Sequence, residues 1–444
     1  MKKNLMCLLS ALFILIVVSY SCKKKDAIII NNVEVLHNNQ DQLTQIIIYD
    51  VFTPPVASRI YAYTSLASYE AIRFLSADNA SMVEKMKGFE KMPQPENGKV
   101  YNYVLAASKA FFTVVHKVIF SIDSLKKYET NLFASFKNNI DDDSVYERSI
   151  NFGTQVGEII LKRAMSDNYI KSRGKSKYLG SDQPGKWRPT QPDYLDGVES
   201  CWNTIEPLLL DSCSQFFPGP PPPYSTDTNS TFFKAVKEVY TISKNLTDEQ
   251  RTIAKFWDDN PFVIEHSGHL MFGNKKITPA GHWMGIASIA ARQTKADEIK
   301  TAKSYALTAV AIFEGFLSCW DVKYKWSYVR PVTVISEFIE KTWSPLLQTP
   351  PFPEYTSGHS TITASAATVL TKLYGDNFSY NDTSDLRYIG MQRKFNSFLQ
   401  AADECSISRL YGGIHYRLSV DTGAVCGRKV GIFIIDKLLK KPEN

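Results

Sequence analysis

Apolar residues recur at intervals of three and four over most of the chain. Segments 60–75, 101–120, 146–166, 247–258 and 296–318 each carry such a stripe, and 361–374 and 424–440 read the same way. Ala306, Ala309, Val310, Phe313 and Leu317 sketch one such face. Strand-like alternation is scarce. The pattern predicts an all-α fold, a helical bundle joined by long loops rich in proline and glycine. Residues 174–225 include Pro218-Gly219-Pro220-Pro221-Pro222-Pro223, and a loop of that length is read as functional or as a lid. Residues 342–358 hold Pro345, Pro350, Pro351 and Pro353; the last two force extended backbone just before Ser357-Gly358-His359. Asp141-Asp142-Asp143 reads as a solvated turn, and no internal repeat is present.

The first apolar run has a different meaning. Lys2 and Lys3 precede Leu5 to Tyr20, a stretch shorter than the ~20 residues of a spanning helix and suited to a secretion signal. It ends at Ser19-Tyr20-Ser21-Cys22, which resembles a bacterial lipobox. The resemblance implies cleavage before Cys22 and lipidation of its thiol. On that reading 1–21 is a signal peptide, 22–45 a polar tether and 46–444 a single all-α domain, with the chemistry at about 296–440. A cleaved signal without lipid, or an uncleaved anchor, is the alternative. Lysine rather than aspartate after Cys22 implies an exported lipoprotein of the outer membrane or periplasm. No later segment reads as membrane-spanning; Val430 to Leu439 is too short.

Composition narrows the function classes. With 444 residues, 44% hydrophobic and 22% charged, the chain is neither disordered, nor collagen-like, nor a small disulfide scaffold. The net charge of +6 is mild and no basic stripe accompanies it, so nucleic acid is not an expected partner. Cys7 lies in the leader. Cys201, Cys213, Cys319, Cys405 and Cys426 are odd in number and lack CxxC spacing, which argues against zinc. A Cys201–Cys213 disulfide and buried free thiols both remain open.

Three segments near the C-terminus carry chemistry. In Lys323-Tyr324-Lys325-Trp326-Ser327-Tyr328-Val329-Arg330-Pro331 the lysine and arginine stand about two helical turns apart. Both can project from one helical face before Pro331 interrupts the helix. Alone, this is a solvated basic patch. Ser357-Gly358-His359, followed by small residues, reads as a helix start, whose free N–H groups bind anions. Ser357 adds a hydroxyl, and His359 a group that titrates near neutral pH. A plain N-cap is the alternative, and a second copy, Ser267-Gly268-His269, shows how weak the tripeptide is alone. In Ser408-Arg409-Leu410-Tyr411-Gly412-Gly413-Ile414-His415 the glycines let the chain turn so that Arg409 and His415 converge. The alternative is a helix ending at a glycine pair beside a surface histidine. Together the segments offer two guanidinium groups, an ammonium, a hydroxyl, a backbone amide and two imidazoles. Guanidinium groups match the fork of a tetrahedral oxyanion. One imidazole can attack or coordinate the central atom while the other trades protons with an apical oxygen.

In order and spacing these segments resemble the signature shared by type 2 phosphatidic acid phosphatases, soluble bacterial acid phosphatases and vanadium-dependent haloperoxidases: K-x6-R-P, then P-S-G-H, then S-R-x5-H-x3-D. The upstream Ser267-Gly268-His269 is out of order. The resemblance implies that Lys323, Arg330, Ser357, Gly358 (through its amide) and Arg409 hold the equatorial oxygens of vanadate or phosphate. His415 would be the axial group, the vanadium ligand of a peroxidase or the phosphorylated nucleophile of a phosphatase. His359 would be the acid–base at the opposite apex. Two positions depart. Thr356 stands where the family has proline, which loosens the loop. Ser419 stands where the family has the aspartate that orients the axial histidine; Asp421 or a backbone carbonyl would take its place.

Further likeness tilts toward the haloperoxidases. Phe256-Trp257-Asp258-Asp259-Asn260-Pro261, Thr278-Pro279-Ala280-Gly281-His282-Trp283, Trp187-Arg188-Pro189-Thr190 and the Phe217 to Pro223 loop are similar to segments of that branch, over about residue 55 to the C-terminus. Phe352 and Trp320 occupy the places where fungal chloroperoxidases carry Phe and Trp near the halide; core packing is the other reading. Asp259 matches a family acid that pairs with an oxyanion-binding arginine. Glu265, His266 and His269 are read as loop residues rather than a metal site, and His282 as a supporting or structural residue rather than a catalyst. The resemblance implies an enzyme that oxidises halide with hydrogen peroxide on vanadate, since phosphoryl transfer passes through the five-coordinate geometry that vanadate adopts stably. The alternative is a soluble acid phosphatase without cofactor, hydrolysing a phosphomonoester or pyrophosphate through His415. Expected partners are these small substrates and the membrane, through lipid on Cys22. A membrane phosphatase and a non-catalytic surface lipoprotein are both disfavoured.

Overall fold

A computed structural model of the chain describes residues 31–440, except 262–263, 268–269 and 274–275; for 264–267 and 270–273 it describes the backbone alone. The leader and Cys22 fall outside it, as do Gly268, His269 and the side chains of Glu265 and His266.

The helices in chain order are α1 (Asn32–Tyr49), α2 (Pro54–Ile72), α3 (Tyr103–Val118), α4 (Ile122–Asn139), α5 (Asp143–Ser166), α6 (Tyr169–Arg173), α7 (Thr231–Lys244), α8 (Asp248–Phe256), α9 (Pro279–Gln293), α10 (Glu298–Trp326), α11 (Pro331–Phe338), α12 (Gly358–Tyr374), α13 (Leu386–Ile389), α14 (Phe398–Tyr411) and α15 (Arg417–Leu438). Two small antiparallel ribbons accompany them: β1 (Ile264–Ser267) with β2 (Leu270–Gly273), and β3 (Tyr380–Asp382) with β4 (Arg393–Phe395). The fold is all-α, as the periodicity predicts. Starts are set by side-chain caps: Thr53, Thr278, Asp297 and Ser357 each accept a backbone N–H from the first turn of their helix. Asp142 caps α5 in the same way, so the exposed acidic triplet is a solvated turn that also starts a helix.

Two expectations are corrected. The polar tether over 22–45 gives way, from residue 32, to α1. Its run Asn38-Asn39-Gln40-Asp41-Gln42 hides a stripe of Val35, Leu36, Leu43, Ile46 and Ile47 that joins the main core. Buried Asn39 donates to Ser108 Oγ at 3.1 Å, so polarity there does not mean exposure. Secondly, Lys323 and Arg330 do not share a helical face. α10 ends where Ser327 turns left-handed (φ 46°), and Pro331 opens α11 rather than interrupting a helix. Of the two readings left open for the cysteines, free thiols hold: Cys201 and Cys213 are unbridged, as are Cys319, Cys405 and Cys426.

α10 is the axis of the bundle. By length and apolarity (mean hydropathy 1.3) it could cross a membrane, but 94% of that stretch is buried inside the fold, as befits a core helix. Close helix contacts elsewhere need glycine. A Cβ on Gly427 of α15 would lie 2.0 Å from Thr361 O of α12, and one on Gly157 of α5 would lie 2.9 Å from Ala110 O of α3. The first of these contacts brings α15 beside the N-terminus of α12. The 174–225 loop is stitched down rather than free. Buried Glu314 of α10 accepts the N–H groups of Leu208, Leu209 and Leu210 at 2.6, 3.3 and 3.0 Å. Val198 donates to Pro351 O at 2.9 Å, tying this loop to the proline-rich one.

Candidate active site

The three chemical segments converge at one buried place. α10 brings Lys323 from below. The N-terminus of α12 brings Ser357, Gly358 and His359. The last turn of α14 brings Arg409 and the turn after it brings His415; there Gly413 adopts φ 76°, a conformation glycine takes at no steric cost. Arg330 enters as the residue before α11. A cavity of about 30 Å³ adjoins them, bordered by Gly358, His359, Arg409, His415, Trp320 and Phe352 but not by Lys323, Arg330 or Ser357. Such a space suits a small ion or a few waters.

His415 is held from both sides. Its Nδ1 lies 2.7 Å from Glu354 Oε1, and its Nε2 lies 3.2 Å from Arg330 Nη1. Burial holds its imidazole well below the ordinary range, helped by the cations Arg330, Lys323 and Arg409. The neutral ring then donates Nδ1–H to Glu354 and accepts the Arg330 Nη1–H at Nε2, the nitrogen that an axial ligand would take over. Glu354 is the residue that sequence reasoning missed. Its Oε1 also accepts Tyr416 N–H at 3.0 Å, and its Oε2 accepts the Ser419 hydroxyl at 2.6 Å. The serine at the aspartate position thus supports a glutamate from another loop, and neither Asp421 nor a backbone carbonyl takes that role. Burial raises the Glu354 carboxyl, while Ser419, Arg330, Lys323 and the Tyr416 N–H pull it back. The only signal in the sequence is an acid three residues before Ser357 within a proline-rich loop.

The cations have unspent donors. Arg330 Nε donates to Phe352 O at 2.9 Å and Nη1 to Ile414 O at 2.8 Å, but buried Nη2 has no partner among the described residues. Arg409 Nη1 donates to Trp257 O, while buried Nε has none. Burial lowers both guanidinium groups, Arg330 to about 10, still cationic at neutral pH. Lys323 is differently employed. Its Nζ donates to Pro353 O at 2.9 Å, Glu354 O at 3.0 Å and Thr356 O. Burial lowers its pKa, yet only the ammonium form can serve three carbonyls. Those contacts pin the loop that Thr356 would loosen.

Ser357 caps α12, accepting from Ser360 N–H at 3.3 Å, and its own hydroxyl proton stays available. Gly358 is the first residue of α12, so its N–H has no acceptor within the helix. His359 meets the Asp258 carbonyl through one ring nitrogen, and its Nε2 has no partner. Burial and the charges of Arg409, His282 and Lys323 hold this ring neutral, with Nε2 as the basic nitrogen. Trp320 and Phe352 pack 5.0 Å apart and both border the cavity, so core packing and lining coincide in them. Asp259 departs from expectation. Its carboxylate accepts from His282 Nδ1 at 3.0 and 3.1 Å, whereas Arg409 donates to Trp257 O.

The orphaned donors of Arg330 and Arg409, the open Gly358 amide and the Nε2 of His359 and His415 form a set that fits a small oxyanion with an axial nitrogen ligand.

Comparisons with known proteins agree in direction. Residues 303–443 match the family model of the second helical-bundle domain of vanadium chloroperoxidase. Among solved structures, a bacterial vanadium-dependent iodoperoxidase is 42% identical, with TM-score 0.87, over 92% of this chain and 98% of that one. A holo-type bacterial vanadium-dependent chloroperoxidase is 16% identical, with TM-score 0.67, over 90% and 95% of the two chains, and shares the fold. The apo-type enzyme is 17% identical, with TM-score 0.66, over 87% and 94%. Curated protein sequences yield no match.

Proposed function

The chain belongs to the vanadium-dependent haloperoxidases, and from that premise we propose that it oxidises halide with hydrogen peroxide, iodide most readily. The observation that carries this reading is the neutral His415 at a cavity that Arg409 also borders, with Arg330 on its Nε2 and a buried N–H left unpaired among the described residues on each guanidinium. Vanadate, when bound, activates peroxide for transfer of an oxygen atom to halide. The chain's own residues do the rest. Arg330, Arg409, Ser357 and the Gly358 amide hold the oxyanion, and Lys323 supports it by fixing the 353–356 loop and adding charge. Glu354 keeps the His415 proton on Nδ1. His359 holds or releases a proton at Nε2. Phe352 and Trp320 wall off water beside the halide. The likeness to an iodoperoxidase supports iodide as the preferred ion. The leader and Cys22 support an exported enzyme anchored to the membrane by lipid.

The test uses phosphate-free protein, half of it loaded with vanadate. Both halves are assayed for iodide and bromide oxidation and for p-nitrophenyl phosphate hydrolysis. Vanadate-dependent halide oxidation that His415→Ala abolishes is the expected result. Hydrolysis confined to the vanadate-free half would make the enzyme a phosphatase instead, and full turnover in His415→Ala would remove the site.

A further inference from the structure

The segment that leaves α8 supplies the pocket with two backbone carbonyls. Trp257 O accepts Arg409 Nη1, and Asp258 O meets the ring of His359. Neither group belongs to a helix or strand that would fix it. The next residue, Asp259, sits in the left-handed region at φ 44°, a conformation that costs a non-glycine residue roughly 1 kcal/mol. Something must hold it there.

His282, on the first turns of α9, is placed to do so. Its Nδ1 lies 3.0 and 3.1 Å from the two Asp259 oxygens, and its Nε2 lies 3.0 Å from Asp382 Oδ2, at the end of β3. Asp385 Oδ2 lies 3.6 Å from Nδ1. The imidazole stacks on the Trp257 indole at 4.6 Å and 18°, and Phe256 meets it edge-on at 5.3 Å. All four polar residues are buried. The ring therefore touches both the residue whose carbonyl binds Arg409 and the residue whose backbone carries the strain.

We propose that His282, gripped between Asp259 and Asp382, is a positioning residue that locks the 257–259 turn, so that its carbonyls aim Arg409 and His359 into the oxyanion pocket. This rests on the haloperoxidase reading of that pocket. The aim is set by geometry from outside: His282 borders no part of the cavity, and its partners come from three separate elements. Breaking the grip frees the turn. Arg409 then loses the acceptor that orients its unpaired Nε, and His359 loses the carbonyl that keeps its proton off Nε2.

The experiment measures vanadate and phosphate affinity of the metal-free protein by calorimetry, well below each variant's melting temperature, alongside kcat and KM of the vanadate-loaded enzyme. Wild type, His282→Gln, Asp259→Ala, Asp259→Asn and Arg409→Ala are compared. His282→Gln and Asp259→Ala are expected to weaken both anions about tenfold and to lower kcat more than they raise KM for iodide. Asp259→Asn, which still accepts from the ring, is expected to recover most of that loss. A structural role alone would lower the melting temperature and leave the affinity of the folded protein unchanged, and that result overturns the proposal. Should His282→Gln fail to fold, Asp259→Ala against Asp259→Asn decides it by the same readout. If the wild type binds neither anion, or Arg409→Ala binds as tightly as wild type, the reading of the pocket falls and the positioning role falls with it.

Discussion

The His415 pocket and the His282 cradle are built from the same parts. Each holds a fully buried imidazole with a carboxylate about 3 Å from one ring nitrogen. They hold opposite charges. Burial pushes both rings toward the neutral form, and in each it is the largest single cause. At His415 the neighbours Arg330, Lys323 and Arg409 push the same way, so the ring is neutral and its Nε2 is an acceptor. At His282 the carboxylates of Asp259, Asp382 and Asp385 outweigh burial, and the ring is a cation with both nitrogens donating. The excess of carboxylates there also lifts the Asp385 carboxyl, behind burial as the main cause. Residue type and depth are shared; the sign of the surrounding charge decides whether histidine is a ligand or a staple.

Breaking the neutral site costs most through Glu354. Glu354→Ala strands the His415 Nδ1–H, the Tyr416 N–H and the Ser419 hydroxyl, all of which it accepts. At about 1–3 kcal/mol per buried orphan, we expect roughly 3 kcal/mol or more of lost stability by urea unfolding, with turnover falling at least about 100-fold. A variant with wild-type turnover would show that His415 needs no acceptor at Nδ1. Glu354→Gln, which keeps an acceptor oxygen, should be milder.

The cationic staple is tested by pH. The folded pKa of His282 lies above its ordinary 6.5. Its stabilisation is therefore complete below pH 6.5 and is lost as pH rises toward the folded value. The stability gap between wild type and His282→Gln should shrink above pH 6.5, at up to about 1.4 kcal/mol per pH unit. A gap that stays flat or widens between pH 6.5 and 9 would mean that the ring is neutral.

Smaller effects sharpen the contrast. Arg409→Ala should weaken vanadate and phosphate binding about tenfold, the loss of one charge-assisted contact worth roughly 1.5–3 kcal/mol; equal affinity by calorimetry would exclude its Nε from the pocket. Ser419→Ala removes a single donor to Glu354 and should cost about 1 kcal/mol and a few-fold in kcat. An effect as large as that of Glu354→Ala would mean that Ser419 acts directly on His415.

The legible part of this molecule is local. The stripes over 101–120, 146–166 and 361–374 became α3, α5 and α12, because period and capping act within a few residues of one another. Lys323, Arg330, Ser357, Gly358, His359, Arg409 and His415 were readable for the same reason, since proline and glycine punctuate three short segments. In α1 and α14 polar residues interrupt the apolar stripe, as Asn38 to Gln42 do in α1, and these helices stayed hidden.

The sequence by itself determined the all-α class, the three segments and the residue types that meet in the pocket. Tertiary structure decided which groups face one another. Glu354 reaches His415 across 61 residues and Asp382 reaches His282 across 100. No period or spacing encodes such pairs, because they follow from how the loops before α12 and α15 meet and how β3 packs on α9. The charge on each imidazole was decided at that level too, since Coulomb interaction sums over whatever the fold gathers and takes no account of order along the chain.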